Sequence, residues 1–135
     1  MADMVEFELV SPERLVKSEP VEMVVVPCSE GDIGVLPGHA PLIATVRPGV
    51  IAVYAGGKVV ESIFVAGGFC EVTAERCTML AEEAVSVGDI DRSQAEKRLS
   101  DAQSAFEADG KATDAVGLER AVKVAEAYLE AATAA

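Results

Sequence analysis

Over the first 87 residues, apolar positions either alternate with polar ones or form short runs, as in β-strands. Val5, Phe7 and Leu9 alternate with glutamates, which predicts a strand with one buried face and one solvent-exposed face. Further strands are predicted at 23–26, 42–46, 50–54, 59–65, 69–72 and 77–80. The Gly-Gly pair at 56–57 is typical of a two-residue hairpin turn. Many short strands at this spacing predict a β-sandwich, or flattened antiparallel barrel, over residues 1–87.

Beyond Gly88 the apolar residues recur every three to four positions, which predicts helices. Asp91 is positioned to cap the first helix, with Gln94 at its third position, and Thr113 or Asp114 can cap the second. The predicted apolar stripes are Ala95, Leu99, Ala102 and Phe106, then Leu118, Val122, Ala125 and Leu129. These stripes and the short Gly-containing link near residue 110 predict an α-helical hairpin over 88–135, which must pack on another surface to be stable.

Charge narrows the range of partners. The 135 residues carry a formal net charge of −12, so binding to nucleic acid is not expected, because phosphate neutralisation needs clustered Lys and Arg. The same charge disfavours direct docking on anionic lipid. No apolar run approaches the ~20 residues of a membrane span, and the first residues have neither a signal-peptide nor a transit-peptide pattern.

The residues capable of catalysis form no recognisable site. Cys28, Cys70 and Cys77 match no zinc-binding spacing and are expected to be buried, reduced thiols. The single histidine, His39, is expected to hydrogen-bond neighbouring backbone. Neither a nucleophile elbow nor a phosphate-binding loop is present, so we expect no catalytic residue, no metal and no cofactor. The alternative is a small β-sandwich hydrolase that uses Cys28 or Cys70, which reactivity of the native thiols would reveal.

The densest local signal is EGDIGVLPGHAPL at residues 30–42, which contains three glycines, two prolines and His39. Because glycine permits positive φ and proline fixes φ, the backbone path here is dictated by sequence, and a loop is predicted over 31–38. RPG follows at 47–49, VAGGFCEV lies at 65–72, and MLAEEA at 79–84 precedes DID at 89–91. Together these motifs resemble the epsilon subunits of bacterial F-type ATP synthases over essentially the whole chain.

The resemblance implies a non-catalytic rotor subunit of the central stalk, with the same two-part fold. Such a subunit binds the gamma subunit and the membrane-embedded c-ring, couples proton translocation to ATP synthesis, and reaches the membrane only through the complex. The implied location is the cytoplasmic face of the bacterial inner membrane. By the same resemblance, Glu30, Asp32 and His39 are candidate contacts with the c-ring.

In some family members the helical hairpin binds ATP or extends to contact the alpha and beta subunits and inhibit hydrolysis. Here Ile90, Asp91, Gln94 and Ala95 mark a degenerate form of the ATP motif, with Gln94 where an arginine is expected. Glutamine lacks the guanidinium fork that suits phosphate. The second helix is net acidic, whereas an inhibitory helix is expected to be basic. We therefore expect weak or absent inhibition, and the alternative is an ATP-sensing inhibitory subunit with a mobile hairpin.

Overall fold

The computed structural model describes residues 4–109 and 115–134, which form ten β-strands followed by two α-helices. The strands are β1 (Val5–Val10), β2 (Leu15–Val21), β3 (Met23–Cys28), β4 (Gly31–Val35), β5 (Leu42–Val46), β6 (Gly49–Ala55), β7 (Lys58–Val65), β8 (Gly68–Val72), β9 (Arg76–Ala81) and β10 (Ala84–Ser86). A 3-10 turn at Val87–Asp89 leads into the helices α1 (Arg92–Asp109) and α2 (Ala115–Ala134). The predicted fold, a β-sandwich followed by a helical hairpin, is confirmed.

The strands form one hydrogen-bonded sheet that nearly closes on itself. Its order is β10-β7-β6-β3-β5-β8-β9-β1-β2, and β4 pairs with β3 beside this path. All pairings are antiparallel except that of β1 with β9, where Phe7 lies opposite Cys77 in a parallel register. The prediction of purely antiparallel pairing was therefore wrong at this position. Alternation within one strand determines which face is buried, but it does not determine the direction of the neighbouring strand.

The main core fills the interior between the sheet layers. The predicted alternation in β1 is confirmed, because Val5, Phe7 and Leu9 are fully buried. The core consists of aliphatic side chains and the three cysteines as well as Phe7, as the scarcity of aromatic residues requires. Gly56 and Gly57 have φ values of 62° and 77°, which is the geometry of a tight hairpin turn between β6 and β7.

Three strands were not predicted. The range 31–38 was interpreted as a loop, but Gly31–Val35 is β4 and pairs along its whole length with β3. β2 was not predicted because its apolar residues are interrupted by the run Lys17, Ser18, Glu19 and Pro20. β10 was not predicted because it has only three residues. At β4 the tertiary pairing outweighs the low strand propensity of its two glycines.

The second helix has two apolar faces, of which the sequence pattern predicts one. In the predicted stripes Ala95 and Ala125 are buried, and the other members are half-buried. Val124, Ala127, Tyr128 and Ala131 form another face, which packs on Phe64, Ala66 and Val87 of the sandwich. These residues stand at positions i, i+3, i+4 and i+7, which is the spacing of a helix face that packs along a surface. The hairpin therefore lies against the sandwich mainly through α2.

The start of α1 agrees with the predicted cap. Asp91 precedes the helix, and its Oδ1 accepts a hydrogen bond from the Gln94 amide at 3.2 Å. The predicted caps of the second helix, Thr113 and Asp114, lie outside the described residues, as does Gly110 of the predicted break. The division of the chain into a 1–87 unit and an 88–135 unit stays a prediction, which a truncation described below tests.

Candidate functional site

The acidic candidates Glu30 and Asp32 lie at the turn between β3 and β4. Asp32 is the second residue of β4, opposite Pro27, and both carboxylates are exposed. Arg47 donates from Nη2 to Asp32 Oδ1 at 2.6 Å and from Nη1 to the carbonyl oxygen of Cys28, also at 2.6 Å. Arg47 therefore holds this turn against the β5–β6 connection. Among the residues that the structure describes, no cation forms an ion pair with Glu30.

His39 lies in the connection between β4 and β5. Its Nδ1 is 2.7 Å from the carbonyl oxygen of Ala40, so the tautomer with a proton on Nδ1 donates this bond. The amide of the preceding Gly38 donates to the carbonyl oxygen of Ala74, in the turn between β8 and β9, at 2.7 Å. The predicted hydrogen bond of His39 to nearby backbone is confirmed.

The structure does not join these three candidates into one cluster. His39 precedes the first residue of β5, while Arg47, the partner of Asp32, follows its last residue. A five-residue strand spans about 13 Å from end to end. Glu30 and Asp32 therefore belong to one acidic turn, and His39 belongs to a separate connection.

A larger surface feature is an apolar face on the outer side of β5, β8 and β9. Ile43, Phe69 and Leu80 are exposed over 72%, 58% and 53% of their surface. Phe69 lies directly opposite Leu80, and Ile43 is two positions from Thr45, the other neighbour of Phe69. Opposite residues in a sheet share a face, so the three side chains are adjacent. We call Ile43, Phe69 and Leu80 the apolar face.

A groove continues the apolar face towards the edge of the sheet. It has a volume of about 290 Å³, and its lining includes Val10, Pro12, Phe69, Leu80 and Glu82. Large apolar side chains that share one rigid surface are typical of protein-binding sites, whereas scattered ones are not. This face can bind a protein partner by apolar contact, with a carboxylate at its border.

The apolar face was not predicted from the sequence. Both parities of Leu42-Ile43-Ala44 and of Met79-Leu80-Ala81 are apolar, so alternation does not show which side chains point inward. Val10 and Leu80 are also matched by the parallel pairing of β1 with β9, which was not predicted. The signal in the sequence is an apolar residue at an outward-facing position on each of the strands β5, β8 and β9, which are neighbours in the sheet. It can be recognised only when the register of these strands is known.

The three cysteines are free and buried, as predicted. Burial raises the pKa of Cys28, and it raises the pKa values of Cys70 and Cys77 from 9.0 to about 12. The Sγ atoms of Cys28 and Cys70 are 4.0 Å apart. A nucleophilic thiolate requires a lowered pKa and access to substrate, so this environment disfavours the hydrolase alternative.

The degenerate ATP motif contributes to local structure. Asp91 caps α1, Ala95 is buried, and Ile90 packs against the cluster between α2 and the sandwich. The Gln94 side chain is exposed. Within residues 4–109 and 115–134, no group of three or more His, Cys, Asp and Glu is arranged to hold a metal ion. Neither α1 nor α2, over its described residues, is long and apolar enough to cross a membrane.

The sequence of the chain is similar to those of known proteins over nearly its whole length. Residues 4–87 match the family described as "ATP synthase, Delta/Epsilon chain, beta-sandwich domain". The chain is 52% identical over 131 residues to an ATP synthase epsilon chain of Rhodospirillum rubrum, with coverage of 97% of this chain and 98% of the relative. It is 51% identical, with the same coverage, to an ATP synthase epsilon chain of Paramagnetospirillum magneticum.

Two solved structures with a similar fold are of ATP synthases. A chain in the Euglena gracilis mitochondrial ATP synthase, a structure of OSCP, F1 and c-ring, aligns with a TM-score of 0.80 and 29% identity. That alignment covers 96% of this chain and 81% of the other. A chain in the central stalk and c-ring structure of the Tetrahymena thermophila enzyme aligns with a TM-score of 0.54 over 64% of this chain and 69% of the other. At 11% identity, the latter likeness concerns the fold alone.

Proposed function

The chain belongs to the epsilon chains of ATP synthase, and on this premise we propose that it is a non-catalytic rotor subunit that binds the gamma subunit through its apolar face. In this role it joins the central stalk to the c-ring and helps couple proton translocation to ATP synthesis. Catalysis takes place on other subunits of the complex.

The apolar face is the observation that carries this proposal. Ile43, Phe69 and Leu80 stand on three hydrogen-bonded strands, so a partner meets them in a fixed arrangement. Burial of one such side chain contributes about 1.5–3 kcal/mol, and three adjacent ones form the centre of a stable interface. A rigid docking surface suits a subunit that must transmit torque.

The acidic turn and the His39 connection are proposed to contact the c-ring. This assignment rests on the family resemblance of residues 30–42, and the exposed Glu30 supports it because that carboxylate is available to a polar partner. Asp32 is held by Arg47, so its role is to keep the turn in a fixed position. The Euglena assembly that includes a chain of similar fold contains both F1 and a c-ring, which supports these partners.

The proposed location is the cytoplasmic face of the bacterial inner membrane, where the chain is peripheral and held by the complex. The bacterial origin of the relatives named above supports this location. Inhibition of hydrolysis through hairpin contacts with the alpha and beta subunits is proposed to be weak or absent. Gln94 disfavours the ATP-sensing alternative, because its side chain is uncharged and cannot form an ion pair with phosphate.

Binding of the purified gamma subunit tests the proposal. We expect Phe69→Asp to weaken binding at least about 100-fold, because a charge would replace an anchor at the centre of the interface. Isothermal titration calorimetry measures the affinity, and thermal unfolding checks that the fold is intact.

Val60→Asp is the matched control. Val60 is exposed over 58% of its surface, as Phe69 is, but it lies on β7, outside the apolar face. We expect this variant to bind gamma within about threefold of the wild type. Equal binding by Phe69→Asp and wild type would contradict the assignment of the apolar face to gamma.

A further inference from the structure

Two consecutive glutamates connect the sandwich to both helices of the hairpin. Glu82 and Glu83 form the turn between β9 and β10. Arg98 of α1 donates from both terminal nitrogens to Glu83, with both distances at 2.9 Å. Arg120 of α2 donates from Nη2 to Glu82. Each helix is therefore tied to the same short turn by an ion pair of its own.

The Glu83 contact extends into the apolar interface between α2 and the sandwich. The Arg98 guanidinium carbon lies 4.8 Å from the ring centroid of Tyr128 on α2. That ring meets Phe64 of β7 edge-on, with centroids 5.0 Å apart and planes at 82°. A continuous series of contacts thus runs from Glu83 through Arg98 and Tyr128 to Phe64, and it ties together the sandwich and both helices.

The two ion pairs differ in expected strength. The side chains of Glu83 and Arg98 are each 36% exposed, and their bidentate geometry is the strongest that a carboxylate and a guanidinium form. The side chains of Arg120 and Glu82 are 53% and 55% exposed, and a single nitrogen makes the contact. Solvent screens the second pair more, so Glu83 is expected to contribute most of the effect.

We infer that Glu82 and Glu83 form a clasp that holds the hairpin on the sandwich without a bound nucleotide. A cleft of about 370 Å³ beside the clasp contains Arg98 and Arg120, the cations that a phosphate group would need. Both are already neutralised by carboxylates of the chain itself. Because the two arginines already have carboxylate partners, the hairpin needs no phosphate ligand in order to dock on the sandwich. A phosphate that entered the cleft would have to displace these carboxylates. The inference goes beyond the proposed function and does not depend on gamma binding.

Hydrogen exchange of the full-length protein, read by mass spectrometry, tests the clasp. Helices that leave the sandwich lose most of their stability, because most helical stability in proteins comes from tertiary packing of an apolar face. We expect Glu83→Gln to increase exchange in α1 and α2 about tenfold, and Glu82→Gln to increase it less. Exchange in β3 and β8 should stay unchanged, which separates undocking from global unfolding.

Glu119→Gln is the matched control, since Glu119 pairs with Lys123 within α2 and, among the described residues, forms no ion pair with the sandwich. It should leave hairpin exchange unchanged. Raising NaCl to about 0.5 M should increase hairpin exchange in the wild type and have little effect in the double variant Glu82→Gln, Glu83→Gln, because both ion pairs are then already absent. Adding ATP with Mg²⁺ should not change hairpin exchange in the wild type or in the variants.

Two outcomes would overturn the inference. Unchanged hairpin exchange in the double variant Glu82→Gln, Glu83→Gln would mean that the apolar contacts of α2 suffice. A wild-type hairpin that becomes protected only after ATP is added would mean that the nucleotide, and not the clasp, closes it. Neither result concerns the affinity for gamma, so failure here is distinguishable from failure of the proposed function.

Discussion

At Gly68 the backbone of β8 approaches β9 so closely that no side chain fits. A Cβ atom placed there would lie 1.9 Å from the carbonyl oxygen of Leu80, and the φ of 141° is one that other residues rarely adopt. Gly68 pairs with Val46 on one side and Ala81 on the other. The next residue is Phe69, so this glycine fixes the register that directs Phe69 outward on the apolar face.

Burial of the three thiols makes the stability of the chain sensitive to high pH. Cys70 and Cys77 have pKa values of about 12 in the folded chain, against 9.0 for an ordinary thiol, because burial disfavours the thiolate. The folded chain therefore keeps these protons at a pH where the unfolded chain has lost them. The resulting stability is complete below pH 9 and is lost as the pH rises towards 12.

We expect the free energy of unfolding to fall steeply between about pH 9.5 and 11, by about 1.4 kcal/mol per pH unit for each such thiol. Urea unfolding in the presence of a reductant measures it. Cys77→Ala is expected to lower stability throughout but to fall less steeply, since one thiol is absent. Parallel curves for the two proteins would show that Cys77 titrates alike in the folded and unfolded chain.

At the scale of elements, the sequence predicts strands and helices best where their periodicity is strong. β1, β5, β7, both ends of α1 and the start of α2 were predicted close to their observed positions. β4 was missed because its glycines suggested a loop, and only pairing with β3 makes it a strand. The acidic candidates could be identified from residues 30–42, but the salt bridge of Asp32 with Arg47 joins residues far apart in sequence.

The Asp91 cap provides a test at the same scale. Asp91→Ala removes the acceptor for the Gln94 amide and is expected to cost about 1 kcal/mol of helix stability, seen as faster hydrogen exchange in the first turn of α1. Asn caps helices as well as Asp does, so Asp91→Asn should retain protection there. Loss of protection in both variants would point to the charge of Asp91, and not to capping.

At the scale of the whole molecule, the position of the hairpin was beyond the reach of the sequence. Periodicity identified one apolar stripe of α2, but the second face of this helix packs on residues more than fifty positions away in sequence, such as Phe64 of β7. The clasp likewise needs Glu82 next to Arg120, which the fold alone brings together. The apolar face also stays exposed while the hairpin is docked, so both features coexist in one state.

Removal of residues 89–135 tests the two-part organisation. We expect the remaining sandwich to fold, because its main core lies between strands that all end before Val87, but to melt at a lower temperature, since Phe64 and Ala66 lose their cover. Circular dichroism follows the melting. In ATP synthase rebuilt with the truncated chain, the ATP hydrolysis rate should change by less than about twofold, because α2 is net acidic and an inhibitory helix is expected to be basic. Several-fold activation would show that the hairpin inhibits, while an unfolded truncated chain would show that the sandwich depends on it.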